Sequence, residues 1–406
     1  MGNTKKRKKK KSSGIGIAIP AMIAGLVLVG GGSVFLLRDQ IFPSSDDSSL
    51  AEKSATVTVS SSVTAPAVTS APEQTVTSEI VTTAPAETVT EPVTTPEPEI
   101  NIEDLAPESG QWVNGVVMYN RGTPDIRAMP VFYGTLSIGE MYADLLNKYK
   151  EMVGDKVNIY NMSIPLASAF YMPKNLQDDV TEQHGCITHI GDHLSNVKNI
   201  DAFEAIGRHG NEYVYSRTDH HWQPLGAYYA AQAFCKEAGV PFPDLSTYEK
   251  CHIDDFLGSM YMYTDYAEDL AAYPDTFWYY KPSNEYTTTY YNGSFQNGYD
   301  GDLFFDWAEG ASCYSAILGG DMNIAEIKTD VDNDRVLVII KDSYGNALVP
   351  FFVGSFSKIY VTDFRYVDVK MKDFFEEVGA TDVLFGMSIS SNYSYGPIES
   401  MEAIMQ

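Results

Sequence analysis

Acidic side chains are missing from the first 38 residues of this 406-residue chain, and Phe, Tyr and Trp are missing from residues 43–104. With no acid to balance them, the seven basic residues of Lys5–Lys11 form an unopposed block of positive charge. The next charge-free stretch, Gly14–Leu37, is 24 residues long, enough for the roughly 20 apolar residues that cross a bilayer core. Basic flanks stay in the cytoplasm. The expectation is therefore a cytoplasmic tail over 1–13, a single-pass signal anchor over 14–37, and everything after Arg38 outside the cell membrane. A cleaved signal peptide ending near Gly30–Gly32 is the alternative. A segment without aromatics cannot bury enough apolar surface to offset its ordering entropy. Here it is rich in Ser, Thr, Val, Ala, Pro and Glu, and TSAPEQTVT (69–77) is echoed by TTAPAETVT (82–90). Residues 38–104 read as a disordered stalk, spanning roughly 40–50 Å as a flexible coil. It carries a globular part, residues 105–406.

Basic residues are also scarce in that globular part, with 19 Lys and Arg against 42 Asp and Glu. This balance excludes nucleic acid as a partner and suits a neutral or cationic substrate better than an anionic one. Cysteine is sparse too. Cys186, Cys235, Cys251 and Cys313 form no C-x-x-C pair, and their pairing stays open.

What is present is an alternation of strand and helix patterns. GVVMY (115–119), the helix-spaced IGEMYADLLNKYKEMVG (138–154) and KVNIYNMSIP (156–165) read as a β-α-β unit. EYVYSRTD (212–219) reads as extended, and Pro224 opens a helix that runs to about Ala238. Residues 255–330, rich in Tyr and Gly, read as an irregular, β-rich insertion. RVLVIIK (335–341), KIYVTDF (358–364) and TDVLFGM (381–387) are apolar strands, with helices expected over 346–356 and 367–379. Such strands imply an α/β fold with a mainly parallel sheet covered on both faces.

Ligands of open parallel sheets sit beyond the carboxyl ends of the strands. Ser343 falls there, on a strand–turn–helix junction with Gly345 two residues on, where helix-terminal amides can stabilise an oxyanion. A helix cap is its bland role. A serine becomes a nucleophile when a histidine takes its proton and a carboxylate fixes that histidine's tautomer. Asp219 and His221, two apart on an extended segment, project to the same side and supply both groups. His220 then faces away as a structural residue. Trp222 is either a wall beside the base or core.

TDHHW (218–222) with the later KDSYGNA (341–347) resembles the DHHW family, which in turn resembles the alginate O-acetyltransferase-like branch of the SGNH hydrolases. NGVVMYNRG (114–122), SIPLASAFYMP (163–173), FLGSMYMYT (256–264), LGGDMN (318–323) and DFR (363–365) add to the resemblance, which covers about residues 110–390. It implies an SGNH-like, flavodoxin-type sheet, with Ser343 as nucleophile, His221 as base and Asp219 as orienting acid. Lys341 stands where ordinary SGNH enzymes have glycine. Asn346 is a candidate oxyanion donor, and Arg365 either binds substrate or anchors a loop.

The expected function is a surface-tethered serine acyl-transfer enzyme, an O-acetyltransferase or esterase without cofactor. Its substrate would be a polysaccharide or cell-wall glycan, with a membrane protein as possible acyl donor. A non-catalytic glycan- or partner-binding module is the second reading. A metal-dependent hydrolase is the third: HGCITHIGDH (184–193) offers His184, Cys186, His189, Asp192 and His193, the i,i+4 pair His189/His193 having zinc-motif spacing. Against it, glycines 185 and 191 interrupt a helix, and His220 and His221 diverge as strand neighbours. No metal ligand is therefore assigned.

Overall fold

The computed structural model describes residues 101–406. The expected tail, anchor and nearly all of the stalk lie outside the described residues, and no described helix is long and apolar enough to cross a membrane. Residues 102–105, expected at the junction of stalk and globular part, are among those described. Ile102–Leu105 forms a 3-10 turn capped by Asn101, with Ile102 and Leu105 lying over Gly207 and Gly210.

The first strands, β1 (Gln111–Val113), β2 (Val116–Tyr119) and β3 (Arg127–Met129), form a separate antiparallel sheet. The expected β-α-β unit is therefore corrected. Asn114 (φ 48°) and Gly115 (φ 85°) take the left-handed conformations of a tight hairpin and fold β2 back on β1.

The main sheet has eight strands. In chain order they are β4 (Asn158–Ile164), β5 (Lys198–Asn199), β8 (Tyr286–Tyr291), β9 (Tyr299–Gly301), β10 (Ile324–Thr329), β11 (Val336–Lys341), β12 (Lys358–Asp363) and β13 (Asp382–Ser388). In space the order is β5-β4-β13-β11-β12-β10-β8-β9. The first five are parallel and the last three antiparallel. The fold is thus mixed α/β. The residues expected as an irregular insertion supply the antiparallel edge, because the Thr- and Tyr-rich YTTTYY of β8 suits a half-buried pleated surface. Strands β6 (Glu249–Phe256) and β7 (Asp275–Lys281) pair apart from the main sheet as a ribbon.

Helices cover the parallel half. In α1 (Leu136–Val153), Ile138, Tyr142, Leu145, Leu146 and Tyr149 form the buried stripe. Helix α2 (Gln183–Asp192) runs through Gly185 and Gly191, contrary to expectation. Glu182 caps it by accepting from the His184 and Gly185 N–H groups, and Gly191 lies against the Asn199 side chain. Helix α3 (Pro224–Ala238) begins at its proline and ends at Gly239 (φ 68°), as its sequence predicts. Helix α4 spans Met371–Val378 and α5 Tyr395–Ala403. The helix expected over 346–356 is shorter: a 3-10 turn, Ser343–Leu348, followed by Val349–Phe352, with Pro350 in the first turn and so causing no kink.

Register places the site. Lys341, the last residue of β11, lies level with Asp363 on β12 and Gly386 on β13, so Asp342 and Ser343 emerge from the middle of the sheet's carboxyl edge. The strands that present them are fixed by burial. Phe385 of β13 is fully buried and meets Tyr149 edge-on at 4.9 Å. Phe385→Ala should lower unfolding free energy by about 3–5 kcal/mol in a denaturant titration. A loss under about 1 kcal/mol would show that this strand is not in the core.

Candidate active site

Residues 217–221 do not run extended as expected. They form successive bends between Tyr215 and Trp222, which pair as an isolated antiparallel bridge. The cause is a distant acceptor. The buried Asp275 carboxylate accepts from the main-chain N–H of Arg217 and of Thr218 and from the Thr218 hydroxyl, each at 2.8 Å. It also accepts from the Arg217 guanidinium at 3.0 Å. Pulled round by these bonds, the loop closes on Asp219. Asp219 Oδ1 accepts the His221 main-chain N–H at 3.0 Å and lies 2.6 Å from His221 Nδ1. Asp219 Oδ2 accepts the Ser259 N–H at 2.8 Å. Gly258 is required next to it, since a Cβ there would sit 2.3 Å from the Asp219 side chain.

A carboxylate only accepts, so Nδ1 of His221 carries the proton and Nε2 the lone pair. Nε2 lies 2.8 Å from Ser343 Oγ. The structure thus brings together Asp219, His221 and Ser343, from two segments 122 residues apart. Burial first, then the neighbouring His220, hold the His221 imidazole below its ordinary range, with Asp219 acting in the opposite sense. Asp219 is held well below the usual carboxylate range: its burial opposes this, and the two imidazoles outweigh the burial. The pair sits as carboxylate and neutral imidazole at neutral pH, the form a general base needs.

The two segments are cross-tied. The Tyr344 carbonyl accepts from Trp222 Nε1 and from the Tyr314 hydroxyl, both at 3.0 Å, and the Tyr344 hydroxyl donates to the His220 carbonyl. Trp222 is fully buried, so it is core and fastener rather than a wall of the site. The Tyr314 ring stacks flat on His221, centroids 3.7 Å apart and planes 5° apart. Nothing in the sequence signalled Tyr314.

Asp342 braces the serine turn. Its Oδ1 accepts the Tyr344 N–H at 3.0 Å; its Oδ2 accepts the Ser388 N–H at 3.0 Å and the Ser388 and Ser391 hydroxyls at 2.7 Å. The Asp342 carbonyl takes the Gly345 N–H at 3.0 Å. Of the helix-terminal amides expected to stabilise an oxyanion, those of residues 344 and 345 are therefore occupied. Gly345 acts sterically: a Cβ would meet Lys341 Cβ at 2.5 Å and the Gly386 carbonyl at 2.9 Å.

Beneath the turn lies an ion quartet. Lys341 Nζ contacts Asp321 at 3.1 Å and Asp363 at 3.0 Å, and Arg365 contacts the same two acids at 3.0 and 2.6 Å. Arg365 is thus a loop anchor. Asn346 Nδ2 donates one of its two protons to Asp321 at 2.8 Å, which ties the side chain to the quartet, and its buried Oδ1 has no protein partner. Burial would lower Lys341, but Asp321 and Asp363 raise it above its ordinary value, and it stays charged. Burial likewise opposes ionisation of Asp321, and Lys341 and Arg365 hold it far below the carboxylate range.

His220 does not diverge from His221 as expected. Their rings lie 3.7 Å apart, and His220 Nδ1 is 2.6 Å from Ser259 Oγ. The ligating atoms of Asp219, His220 and His221 fall within 4.8 Å of one another. Both His221 nitrogens already have partners, so an ion there would take the place of the proton shared with Asp219 or of the Ser343 hydroxyl, and the serine would lose its base. The arrangement fits proton transfer from a serine without one.

A sequence profile described as DHHW protein matches residues 124–362. A crystal structure of a DHHW family protein from Eubacterium siraeum is 42% identical, with TM-score 0.69, and the match covers 73% of this chain and 97% of that one. PatB1 of Bacillus cereus, solved with a sulfonyl adduct, is 18% identical, with TM-score 0.58, covering 70% of this chain and 98% of that one. The O-acetyltransferase domain of Pseudomonas putida AlgJ is 14% identical, with TM-score 0.37, covering 72% and 97%. No curated protein matches the chain.

The lowered His221 gives a signed expectation. As pH falls through its pKa, His221 becomes imidazolium and can no longer accept the serine proton. Reactivity of Ser343 toward a sulfonyl fluoride should therefore persist below about pH 6.5, the ordinary histidine value, and fall only in stronger acid. An acid midpoint above that value contradicts the electrostatics described.

Proposed function

The chain belongs to the DHHW family, and we propose that it is a serine acyl-transfer enzyme, an SGNH-like O-acetyltransferase or acetylesterase acting on cell-envelope or extracellular glycan. The observation that carries this reading is the continuous hydrogen-bonded line Asp219–His221–Ser343, with links of 2.6 and 2.8 Å. Ser343 Oγ attacks the acyl carbonyl while its proton passes to His221 Nε2. The tetrahedral intermediate collapses, the leaving alcohol takes that proton, and an acyl-serine remains. A sugar hydroxyl or water then gives a proton to His221 and attacks the acyl-serine; the second tetrahedral intermediate expels Ser343 Oγ, which takes that proton back, and the new ester or the free acid leaves. The Ser343 main-chain N–H, the first amide of the turn, meets the oxyanion, since those of Tyr344 and Gly345 are held by Asp342.

The surrounding features agree with a glycan as acceptor. The acidic balance of the chain disfavours anionic substrates, and the sequence ahead of the domain has the charge and length of an anchor and stalk. In this reading the domain is held outside the cell membrane by residues 14–37, and a membrane protein delivers the acyl group.

The test is covalent. Incubated with a small activated acetyl ester, the full chain should gain one acetyl group on the peptide holding Asp342-Ser343-Tyr344, seen by mass spectrometry. Ser343→Ala should gain none there. Asp219→Asn should stay folded and acylate about 10³–10⁴-fold more slowly, through the wrong imidazole tautomer. Chelator should leave labelling intact, whereas a metal-dependent hydrolase would lose it. Glycan binding that survives Ser343→Ala, with no acyl-serine in the parent chain, would instead make this a binding module.

A further inference from the structure

A second histidine cluster lies apart from the triad. His189 and His193 are one helical turn apart, at the end of α2, and α1 brings Glu140 against them. His189 Nε2 is 3.1 Å from Glu140 Oε1, and the two imidazole rings are 4.3 Å apart. One ligating atom from each of the three residues lies within 4.8 Å of the others. The sequence offered only the i,i+4 histidine pair; Glu140 joins it because α1 and α2 pack side by side.

We infer that Glu140, His189 and His193 form a divalent transition-metal site of the zinc class, which clips α1 to α2. Two imidazoles and one carboxylate are the donor set such ions take, while magnesium and calcium call for oxygen alone. Ligands at about 2.0–2.2 Å in a tetrahedron stand roughly 3.4 Å apart, close to the His189–Glu140 spacing already present. The remaining contraction is toward His193, an exposed residue, and is shared with Glu140, whose side chain is 47% exposed. An ion would replace the proton now shared between His189 Nε2 and the Glu140 carboxylate.

The surroundings orient the ligands as metal sites require. His193 Nδ1 lies 2.8 Å from the His189 carbonyl, which only accepts, so Nδ1 carries the proton and the Nε2 lone pair is left for a metal. Asn147 of α1 fixes the backbone there. Its Nδ2 donates to the His193 carbonyl at 2.9 Å and its Oδ1 accepts the Ser195 N–H at 2.7 Å. The other candidate ligands of this stretch are elsewhere: His184 stacks on Phe203, and Cys186 is buried. With three protein ligands, water completes the shell. The clip would close the helix pair that seats Tyr393, whose ring packs on Gly139 and whose hydroxyl donates to the Cys186 carbonyl. Without metal, the same residues are a solvent-facing histidine–glutamate contact of small energetic value.

The full chain, stripped with chelator and dialysed, should bind one equivalent of Co²⁺ with the visible absorption of a low-coordinate site, and Zn²⁺ should displace it. At free Zn²⁺ of 100 times Kd, the folded-to-unfolded ratio should rise about 100-fold, read as a higher thermal midpoint. His189→Ala and His193→Ala should each abolish the absorption and the Zn²⁺-dependent shift while keeping the metal-free midpoint and circular dichroism of the parent chain. His221→Ala should keep both signals. Three results would overturn the inference: no saturable Co²⁺ signal in the parent chain, a signal that persists in the His189→Ala/His193→Ala double variant, or a signal lost in His221→Ala instead. The first two do not bear on acyl-serine formation, and the third is told apart from it by whether chelator abolishes the acyl label, so the two proposals fail separately.

Discussion

One hydrogen bond organises this molecule: the 2.8 Å contact between His221 Nε2 and Ser343 Oγ. A serine hydroxyl reacts only when a neutral imidazole waits at that distance in the right tautomer. Neither segment holds that geometry alone. The histidine loop is bent into place by Asp275, and the serine turn is braced by Asp342; each buried carboxylate gathers several main-chain and hydroxyl donors. Tyr344, Trp222 and Tyr314 then lock one segment to the other. Removing one donor from a buried network of this kind typically costs about 1–3 kcal/mol, because the buried acceptor is left unsatisfied. The supports are thus as constrained as the triad.

Lys341 shows how the site accommodates a departure from the simplest pattern. A glycine ahead of the Asp-Ser pair would leave room under the turn. Here a buried lysine fills that room and brings a charge that must be answered. Asp321, Asp363 and Arg365 answer it with two anions and a second cation, joining the ends of β11 and β12 to the loop before β10. The same Asp321 takes the Asn346 amide, so the charge balance also sets the side chain three residues beyond the serine.

Legibility in the sequence tracked the range of the forces involved. The apolar strands β4, β11, β12 and β13 and the Pro-to-Gly helix α3 are dictated by local pattern and were readable to within a residue or two. The pairing of Asp219 with His221, and the place of Ser343 at a strand end, were likewise readable from spacing. What local pattern could not show was set by distant partners. The 217–221 segment bends because its donors are claimed by Asp275, more than 50 residues on, and the two histidines therefore meet instead of diverging. The Tyr- and Thr-rich region looked irregular because its strands are short and half exposed, yet it completes the main sheet. Trp222, Asn346 and Arg365 were recognisable as residues of interest, but their roles as fastener, quartet donor and anchor depend on partners 25 to 122 residues away.

The most direct test of the account is the state of the His221 ring itself. Nitrogen-15 NMR of imidazole-labelled protein should show His221 neutral at pH 7, with the proton on Nδ1 and the lone pair on Nε2. In Asp219→Asn that tautomer preference should be lost. A His221 ring that is positively charged at pH 7, or protonated at Nε2 in the unmodified protein, would contradict the account, because neither form can take the proton of Ser343.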